Sequence, residues 1–494
     1  MRIPPILIFF IFCFTACKAQ PETKNEQPNI VFILADDLGW ADLPLYGNRF
    51  NEAPNLEKLA RQGVKFNNAY AANPVCSPTR ASIQTGLYPA RMGINDWIPG
   101  HWRPYENVLA AINTVQHLPH DTETLGELLK KAGYTTGFFG KWHLGNDEKS
   151  KPKNRGYDES VIFDSAPFFG YQTSMQPKQD FPKDMVLSEA LTNLSTNFIS
   201  QNKDKPFFLF LSHFDVHVQL DAQDQLIQKY LSKPKVKNYP CNAIYAAMIE
   251  NIDNSVGAVM DKLEALNLAD NTLVVFFSDN GGLIKRFDEI PLIHQRSAHI
   301  YANDTLQYIA TSNAPLKGEK GNLYEGGIKE PMLVKWPNHI KAGATSNAMV
   351  SSIDFFPTFA EVAGLSKKAQ PKVDGKSILQ ILSENEKTAE HRPLFWHYPV
   401  YHHSVPASAV RVGDYKLIEF LDDKHIELYN LKTDIGETTD LSVKHPKKAK
   451  ELLGLLQKWQ KNTNAAMPTK NPNFNPERRY EWGKHPDATK EVIR

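Results

Sequence analysis

The chain of 494 residues is 41% hydrophobic and 22% charged, the profile of a globular protein with room for one large domain and a smaller one. Its 56 basic and 55 acidic residues leave a formal net charge of +1, which excludes a chain-wide attraction to nucleic acid or to an acidic polymer, so any anion site is local. Four cysteines in this length are too few for a disulfide scaffold.

Met1-Arg2 leads into an apolar run over 6–14 and then Thr15-Ala16-Cys17. The run is too short to span a bilayer and has the layout of an export signal over 1–19. Thr-Ala-Cys resembles the processing site of bacterial lipoproteins, with Cys17 carrying lipid; cleavage after Ala19 is the alternative. Residues 20–28 have almost nothing to bury and read as a linker. These features predict an exported chain, periplasmic or lipid-anchored at the outer membrane, with plain secretion as the alternative.

Residues 29–35 form an apolar run without alternation, the pattern of a strand buried on both faces of a parallel sheet, and it stops at Asp36-Asp37. A short helix over 55–63, capped by Asn55, is followed by Cys76-Ser77-Pro78-Thr79-Arg80 at the head of another. Helical spacing over 122–133 precedes a strand over 134–140 that ends at Lys141-Trp142-His143. A helix over 185–201 leads to a strand over 206–211, which runs out at His213-Phe214-Asp215-Val216-His217. A helix over 242–266 leads to a strand over 272–277, which ends at Ser278-Asp279-Asn280-Gly281-Gly282. Residues 283–316 lack periodicity and read as a functional loop or lid; Gly318-Glu319-Lys320-Gly321 then precedes a strand over 332–336.

This alternation predicts an α/β fold, a large, mostly parallel sheet sandwiched by helices, with ligand groups gathered beyond the carboxyl ends of its strands. Beyond Gly364 come short strands over 394–398, 408–412, 415–421 and 426–431 and a helix over 445–462. They predict a smaller α+β subdomain with an antiparallel sheet. The catalytic domain is then 29–389, and the C-terminal subdomain and tail are 390–494, the tail beyond Met467 wrapping an outer surface or partly disordered.

Asp36, Asp37, Asp279 and Asn280 offer oxygen ligands at two strand ends, a set suited to Ca²⁺ or Mg²⁺, although a helix cap and a turn would use the same residues. Arg80, Lys141 and Lys320 are candidate anion-holding cations, and His143 and His217 candidate proton shuttles; each alone also suits a structural role. His213, Asp215 and His217 alternate in the manner of a zinc site, without a further ligand at a recognisable spacing. The Gly318-Glu319-Lys320-Gly321 turn lacks the spacing and Lys-Ser/Thr ending of a phosphate loop. Cys76 is either a nucleophile precursor beside Arg80 or a buried structural cysteine, and a Cys76–Cys241 disulfide is the competing arithmetic.

Cys76-Ser77-Pro78-Thr79-Arg80 resembles the Cys-x-Pro-x-Arg signature of type I sulfatases, members of the alkaline phosphatase superfamily, and Ala81-Ser82-Ile83-Gln84-Thr85-Gly86 resembles its continuation. Asp36-Asp37-Leu38-Gly39, Gly140-Lys141-Trp142-His143-Leu144-Gly145, Ser278-Asp279-Asn280-Gly281-Gly282 and the stretch from Lys320 to Gly327 also resemble sulfatase motifs, in the family's order. The resemblance implies an alkaline phosphatase-like fold and sulfate ester hydrolysis. It also implies that a maturation enzyme oxidises Cys76 to formylglycine, whose hydrate attacks sulfur. Thr79 stands where serine is more frequent, which leaves the type of maturation enzyme open.

Carried over by position, Asp36, Asp37, Asp279 and Asn280 bind Ca²⁺, in preference to Mg²⁺, with residue 76 beside it. Arg80 and Lys141 hold the hydrate, His143 takes a proton, and His217 and Lys320 bind sulfate and assist the leaving oxygen. Trp97, Trp102, Arg103, His101, the 283–316 loop, His397, Tyr401, His402 and His403 have the aromatic and polar character of a sugar-binding surface. The substrate expected is a sulfated carbohydrate, such as an algal polysaccharide or a glycosaminoglycan fragment. An aryl sulfate, or a phosphate ester handled by a superfamily relative, is the alternative. Nucleic acid is not an expected partner, and membrane contact is expected only through a lipid on Cys17.

Overall fold

Strand β1 (Asn29–Ala35) is buried at every residue and serves two cores at once. Val31 and Ile33 belong to one apolar cluster, Ile30, Phe32 and Leu34 to another, as the two-residue period of a strand between two layers requires. The structure is a computed structural model that describes residues 27–286, 290–383 and 392–483. The export signal, Cys17, most of the 20–28 linker and the boundary expected at 389/390 lie outside the described residues.

The strands that follow are β2 (Val64–Tyr70), β3 (Val108–Leu109), β4 (Thr135–Lys141), β5 (Glu159–Phe163), β6 (Phe207–Ser212), β7 (Thr272–Ser278), β8 (Lys329–Lys335) and β9 (Ala344–Ser351). Eight strands of one sheet lie in the order β5-β4-β6-β1-β7-β8-β2-β9. All neighbours are parallel except β8, which is antiparallel to both β7 and β2. Because β8 runs against β7, the segment joining them leaves and re-enters the sheet at one edge, and Lys320 stays beside the end of β7.

One face of the sheet is covered by helices Pro54–Arg61, Leu187–Gln201, Asp224–Leu231 and Ala243–Ala265, the other by Cys76–Thr85, Leu125–Lys131 and Phe355–Val362. Helix Leu125–Lys131 starts at a capping box. Thr124 Oγ1 accepts from Glu127 N at 3.2 Å and Glu127 Oε2 accepts from Thr124 N at 2.8 Å, which satisfies two otherwise unpaired donors. Asn55 is not the cap that its position suggested. Helix Pro54–Arg61 has begun before it, and its backbone N and Nδ2 donate to Asp253 Oδ2 on the long helix at 3.1 and 2.9 Å.

The described part of 283–316 is pinned rather than a loose lid. Leu292, Ile293 and Tyr301 are buried in the core, and Arg296 pairs with Asp221 at 2.8 Å. Among the described residues no helix is long and apolar enough to cross a membrane.

The second sheet is antiparallel, β10 (Leu394–Tyr398), β11 (Ala407–Val412), β12 (Tyr415–Phe420) and β13 (Ile426–Asn430) in that order. Val410, Leu417 and Leu428 pack under helix Pro446–Asn462 through Leu452 and Leu456. Trp396, Ala409 and Ile418 on the opposite face pack on Tyr70, Val75 and Ile328 of the large domain. The tail returns to the surface. Strand β14 (Thr469–Lys470) pairs with β3, and Asn471 Nδ2 donates to Pro104 O and Glu106 O at 2.9 and 2.7 Å.

Candidate active site

Strand ends deliver charge to one point. Asp36 and Asp37 follow β1, Lys141 ends β4, His217 lies beyond β6, Asp279 and Asn280 follow β7, and Lys320 comes from the segment before β8. Cys76 opens helix Cys76–Thr85 after β2, with only 1% of its surface exposed. Its Sγ lies 3.5 Å from Asp36 Oδ1, 4.0 Å from Asp37 Oδ1 and 3.6 Å from both Lys141 Nζ and Lys320 Nζ. Burial pushes the thiol well up its titration range, against the pull of Lys141 and Lys320. A thiol held protonated is a poor nucleophile.

Asp36 Oδ2 takes Lys141 Nζ at 2.5 Å, and Asp37 takes Lys320 Nζ at 2.8 and 2.9 Å on its two oxygens. Asp37 has φ of 61°, a left-handed backbone that turns its carboxylate from the direction a continuing strand would give it. Burial disfavours its charge, but the Lys320 and Lys141 ammonium groups outweigh that and hold it below the ordinary carboxylate range. Asp279 is pushed upward by burial and by Asp36, even with Arg80 Nε and Nη2 at 2.8 and 2.7 Å from its Oδ2. Arg80 also donates through Nη1 to Lys141 O and Ser212 Oγ at 2.8 and 2.7 Å. It therefore ties the ends of β4, β6 and β7 together from a position one turn below Cys76.

The donor set fits a hard cation. Asn280 donates through Nδ2 to Asp37 Oδ1 at 2.7 Å, which leaves its Oδ1 buried and without a hydrogen-bond partner. Carboxylate oxygens of Asp36 and Asp37 converge with Cys76 and His217 to within 4.8 Å. Oxygen donors with crowded negative charge suit Ca²⁺ or Mg²⁺, and a divalent cation would reverse the upward push on Asp279.

Both histidines are held neutral. His217 Nδ1 donates to Val218 O at 2.6 Å, and its Nε2 lies 3.7 Å from Asp37 Oδ2. Burial, then Lys141 and Lys320, push its titration down to about 3. His143 is lowered well below the usual range by burial and Lys141. Its Nε2 donates to Ile98 O at 2.7 Å and its backbone N to Asp164 Oδ1 at 3.0 Å, while Nδ1 is buried without a hydrogen-bond partner. An imidazole in that state offers Nδ1 as a base.

Several candidates named from the sequence fall elsewhere once folded. Cys76 and Cys241 are free, which removes the disulfide, and Cys241 Sγ accepts from Val236 N at 3.2 Å. His213 and Asp215 are fully buried and do not join His217, so no zinc-like trio forms. His397 is not presented to a ligand. It bonds Ser408 Oγ and Ala466 O at 2.7 Å each and holds the second sheet to the tail. Tyr401 is also internal, accepting from Val108 N at 3.3 Å.

His402 instead reaches the site's edge. A side chain on Gly321, next to Lys320, would strike its ring, which lies 4.3 Å from His101. His101 in turn lies 5.3 Å from Trp482, whose face carries the Arg103 guanidinium at 4.1 Å. Trp102 sits under the tail, its carbonyl accepting from Gly483 N at 3.0 Å. Sequence reasoning missed Ser212, Asp164, the Ile98 carbonyl and Trp482. Ser212 was findable, because it ends a strand like the others. A backbone carbonyl carries no signal in residue identity.

The family model described as Sulfatase matches residues 28–365, and the one described as N-sulphoglucosamine sulphohydrolase, C-terminal, matches 318–464. The chain belongs to the sulfatase family and is a sulfuric ester hydrolase with the alkaline phosphatase-like fold. A sulfatase of Formosa agariphila is 31% identical over 89% of each chain. The N-acetylgalactosamine-6-sulfatase of Homo sapiens is 33% identical over 75% of this chain and 68% of its own. Among solved structures, that of Ps i-CgsB is 28% identical with a TM-score of 0.73, covering 91% of this chain and 95% of that one. The same protein is also known in complex with k-i-k-neocarrahexaose.

Proposed function

We propose that the protein removes sulfate from a sulfated carbohydrate, using formylglycine made from Cys76 by a maturation enzyme and Ca²⁺ held by Asp36, Asp37, Asp279 and Asn280. The observation that carries this reading is the convergence of two carboxylates and two ammonium groups on Cys76 Sγ, each within 4.0 Å. The hydrated aldehyde would supply an oxygen nucleophile for a two-step displacement at sulfur, and the cation would neutralise negative charge beside it. The chain's own groups account for the remainder. Lys141 and Lys320 stand where anionic oxygens would gather, and fixed positive charge there favours the transition state over the ground state. His143 Nδ1 is the base that accepts a proton at residue 76. His217, neutral and tethered through Nδ1, directs Nε2 toward the sulfate position. Arg80, fixed through Nε and Nη1 on Asp279, Lys141 O and Ser212, keeps Nη2 without a hydrogen-bond partner to help hold the hydrate.

A carbohydrate is favoured by two observations. The named relatives include a sulfatase of an amino sugar, and a structural relative is complexed with a neocarrahexaose. The site's edge also carries the ring series His402, His101 and Trp482 with Arg103 beyond, which suits stacking on a sugar and pairing with a further sulfate. Export with a lipid on Cys17 belongs to the same reading and places the enzyme where such polymers are met.

The peptide spanning residue 76, from protein made in a host with a maturation enzyme, should carry the mass of formylglycine. Active protein containing only cysteine there would overturn the mechanism. Sulfate release from a panel of sulfated oligosaccharides tests the substrate; turnover confined to aryl sulfates would overturn it.

A further inference from the structure

Outside the candidate active site, His117, His120 and Asp147 bring ligand atoms to within 4.8 Å of one another. The histidines belong to His117-Leu118-Pro119-His120, and the aspartate to the loop that leaves His143. Backbone packing holds the two segments together. Leu118 N donates to Leu144 O at 2.9 Å, and Gly145 passes so close that a Cβ on it would lie 2.5 Å from His117 Cβ.

Two of the three ligand groups are already oriented. A carbonyl only accepts, so the 3.0 Å contact of His117 Nδ1 with Leu118 O places the proton on Nδ1 and leaves a lone pair on Nε2. Metal-bound histidines are commonly fixed in this way. Asp147 Oδ1 accepts from Lys149 N and Ser150 N at 3.0 and 3.2 Å, and Oδ2 from the Ser150 hydroxyl. His120 Nε2 lies 3.3 Å from Asp147 Oδ1 and 3.1 Å from Ser150 Oγ; that hydroxyl is spent on Asp147, so Nε2 carries the proton here and a metal would take its place, the proton shifting to Nδ1. Two donors on one tetrahedral Zn²⁺, with bonds of about 2.0–2.1 Å, are separated by roughly 3.3 Å. The imidazoles stack at 4.3 Å with planes 6° apart, so one ring has to turn out of the stack for both in-plane lone pairs to meet a single ion.

We propose that His117, His120 and Asp147 form a site for a borderline divalent cation such as Zn²⁺, with water completing its coordination. Two imidazoles and one carboxylate favour Zn²⁺ over the Ca²⁺ suited to the oxygen ligands of the active site. The ion would brace residues 117–120 against the 144–150 loop, next to His143 but without touching the reacting atoms.

The test is titration calorimetry of the calcium-saturated enzyme with ZnCl₂, on the wild type, His120→Ala and Asp147→Asn. One Zn²⁺ per chain is expected for the wild type, with affinity weakened at least about 100-fold in each variant. Zn²⁺ should raise the melting temperature of the wild type only, while sulfate release by the variants without Zn²⁺ stays unchanged. Three results would overturn the proposal: no saturable binding by the wild type, undiminished binding by the variants, or Zn²⁺ that excess Ca²⁺ displaces, which would put it in the active site.

Discussion

Lys320 and Glu325 lie five residues apart, yet they belong to two buried charge clusters built on opposite rules. Around Glu325 the charges close on one another. Its Oε1 takes Lys416 Nζ at 3.0 Å, its Oε2 takes the Tyr70 hydroxyl at 2.7 Å, and Lys416 reaches Glu437 Oε1 at 2.9 Å. Glu437 Oε2 accepts Glu325 N at 2.7 Å, and Arg411 Nη1 and Lys329 Nζ stand 3.7 and 3.8 Å from Glu325 Oε2. This strut couples β12 of the second sheet to the segment leading into β8. Around Lys320 the charges instead point at Cys76, and Asn280 Oδ1 is left buried without a hydrogen-bond partner. The contrast separates holding from reacting: burial and charge are common to both clusters, and what marks the candidate active site is a shared focus on one residue.

The sharpest way to break that comparison is Cys76→Ala. Removing the focal residue should lower sulfate release by at least about 10⁴-fold, as loss of a covalent nucleophile does, while thermal melting stays close to that of the wild type. Turnover near the wild-type rate would mean that the convergence on Cys76 is architectural, like the strut.

The matching change in the strut is Lys416→Met. It strands Glu325 and Glu437 without their central cation, and breaking a buried pair costs about 3–5 kcal/mol. Chemical denaturation should show that loss, whereas kcat of the folded enzyme is retained. Adding Glu437→Gln should recover part of it, because the second uncompensated charge then disappears. Lys320→Ala should do the reverse, lowering kcat/KM by about 10²–10³ for want of one fixed positive charge, with little change in the denaturation midpoint. If Lys320→Ala instead destabilised the protein as Lys416→Met does, the two clusters would not differ in kind.

The sequence shows the active-site cluster far better than the strut, for a physical reason. Strands β1, β4, β6 and β7 are apolar runs that end in charge, and such an ending is visible because the sheet demands continuity up to it. Glu325, Lys416 and Glu437 interrupt no pattern, since in the short strand β12 a lysine reads as the solvent-facing half of an alternation, although Lys416 is fully buried. Polar and small residues also hid β9, an edge strand that resembles loop, and β5, the other edge strand, has an apolar stretch of only Val161, Ile162 and Phe163. The direction of β8 was hidden too, because an apolar run looks the same parallel or antiparallel. His397 misled for a related cause: a histidine satisfied at both nitrogens by Ser408 and Ala466 is indistinguishable in sequence from one that faces a ligand.

The smallest test is a pair of single-oxygen deletions, one in each cluster. Tyr70→Phe keeps the ring that packs edge-on against Trp396 at 5.4 Å and removes only the hydroxyl, which donates to Glu325 and accepts from Arg411 Nη1. A hydrogen bond to a charged group is worth about 1.5–3 kcal/mol, and because Glu325 and Arg411 both lose one the expected loss is at the upper end of that range. Denaturation should register that loss with sulfate release unchanged. Ser212→Ala removes the oxygen that accepts from Arg80 and donates to Lys141 O at 2.8 Å, loosening the arginine that ties three strand ends beneath Cys76. A small displacement at a reacting centre weighs more in the rate than in stability, so kcat should fall by about tenfold while the denaturation midpoint shifts little. Equal effects of the two deletions on both measurements would erase the distinction between the clusters.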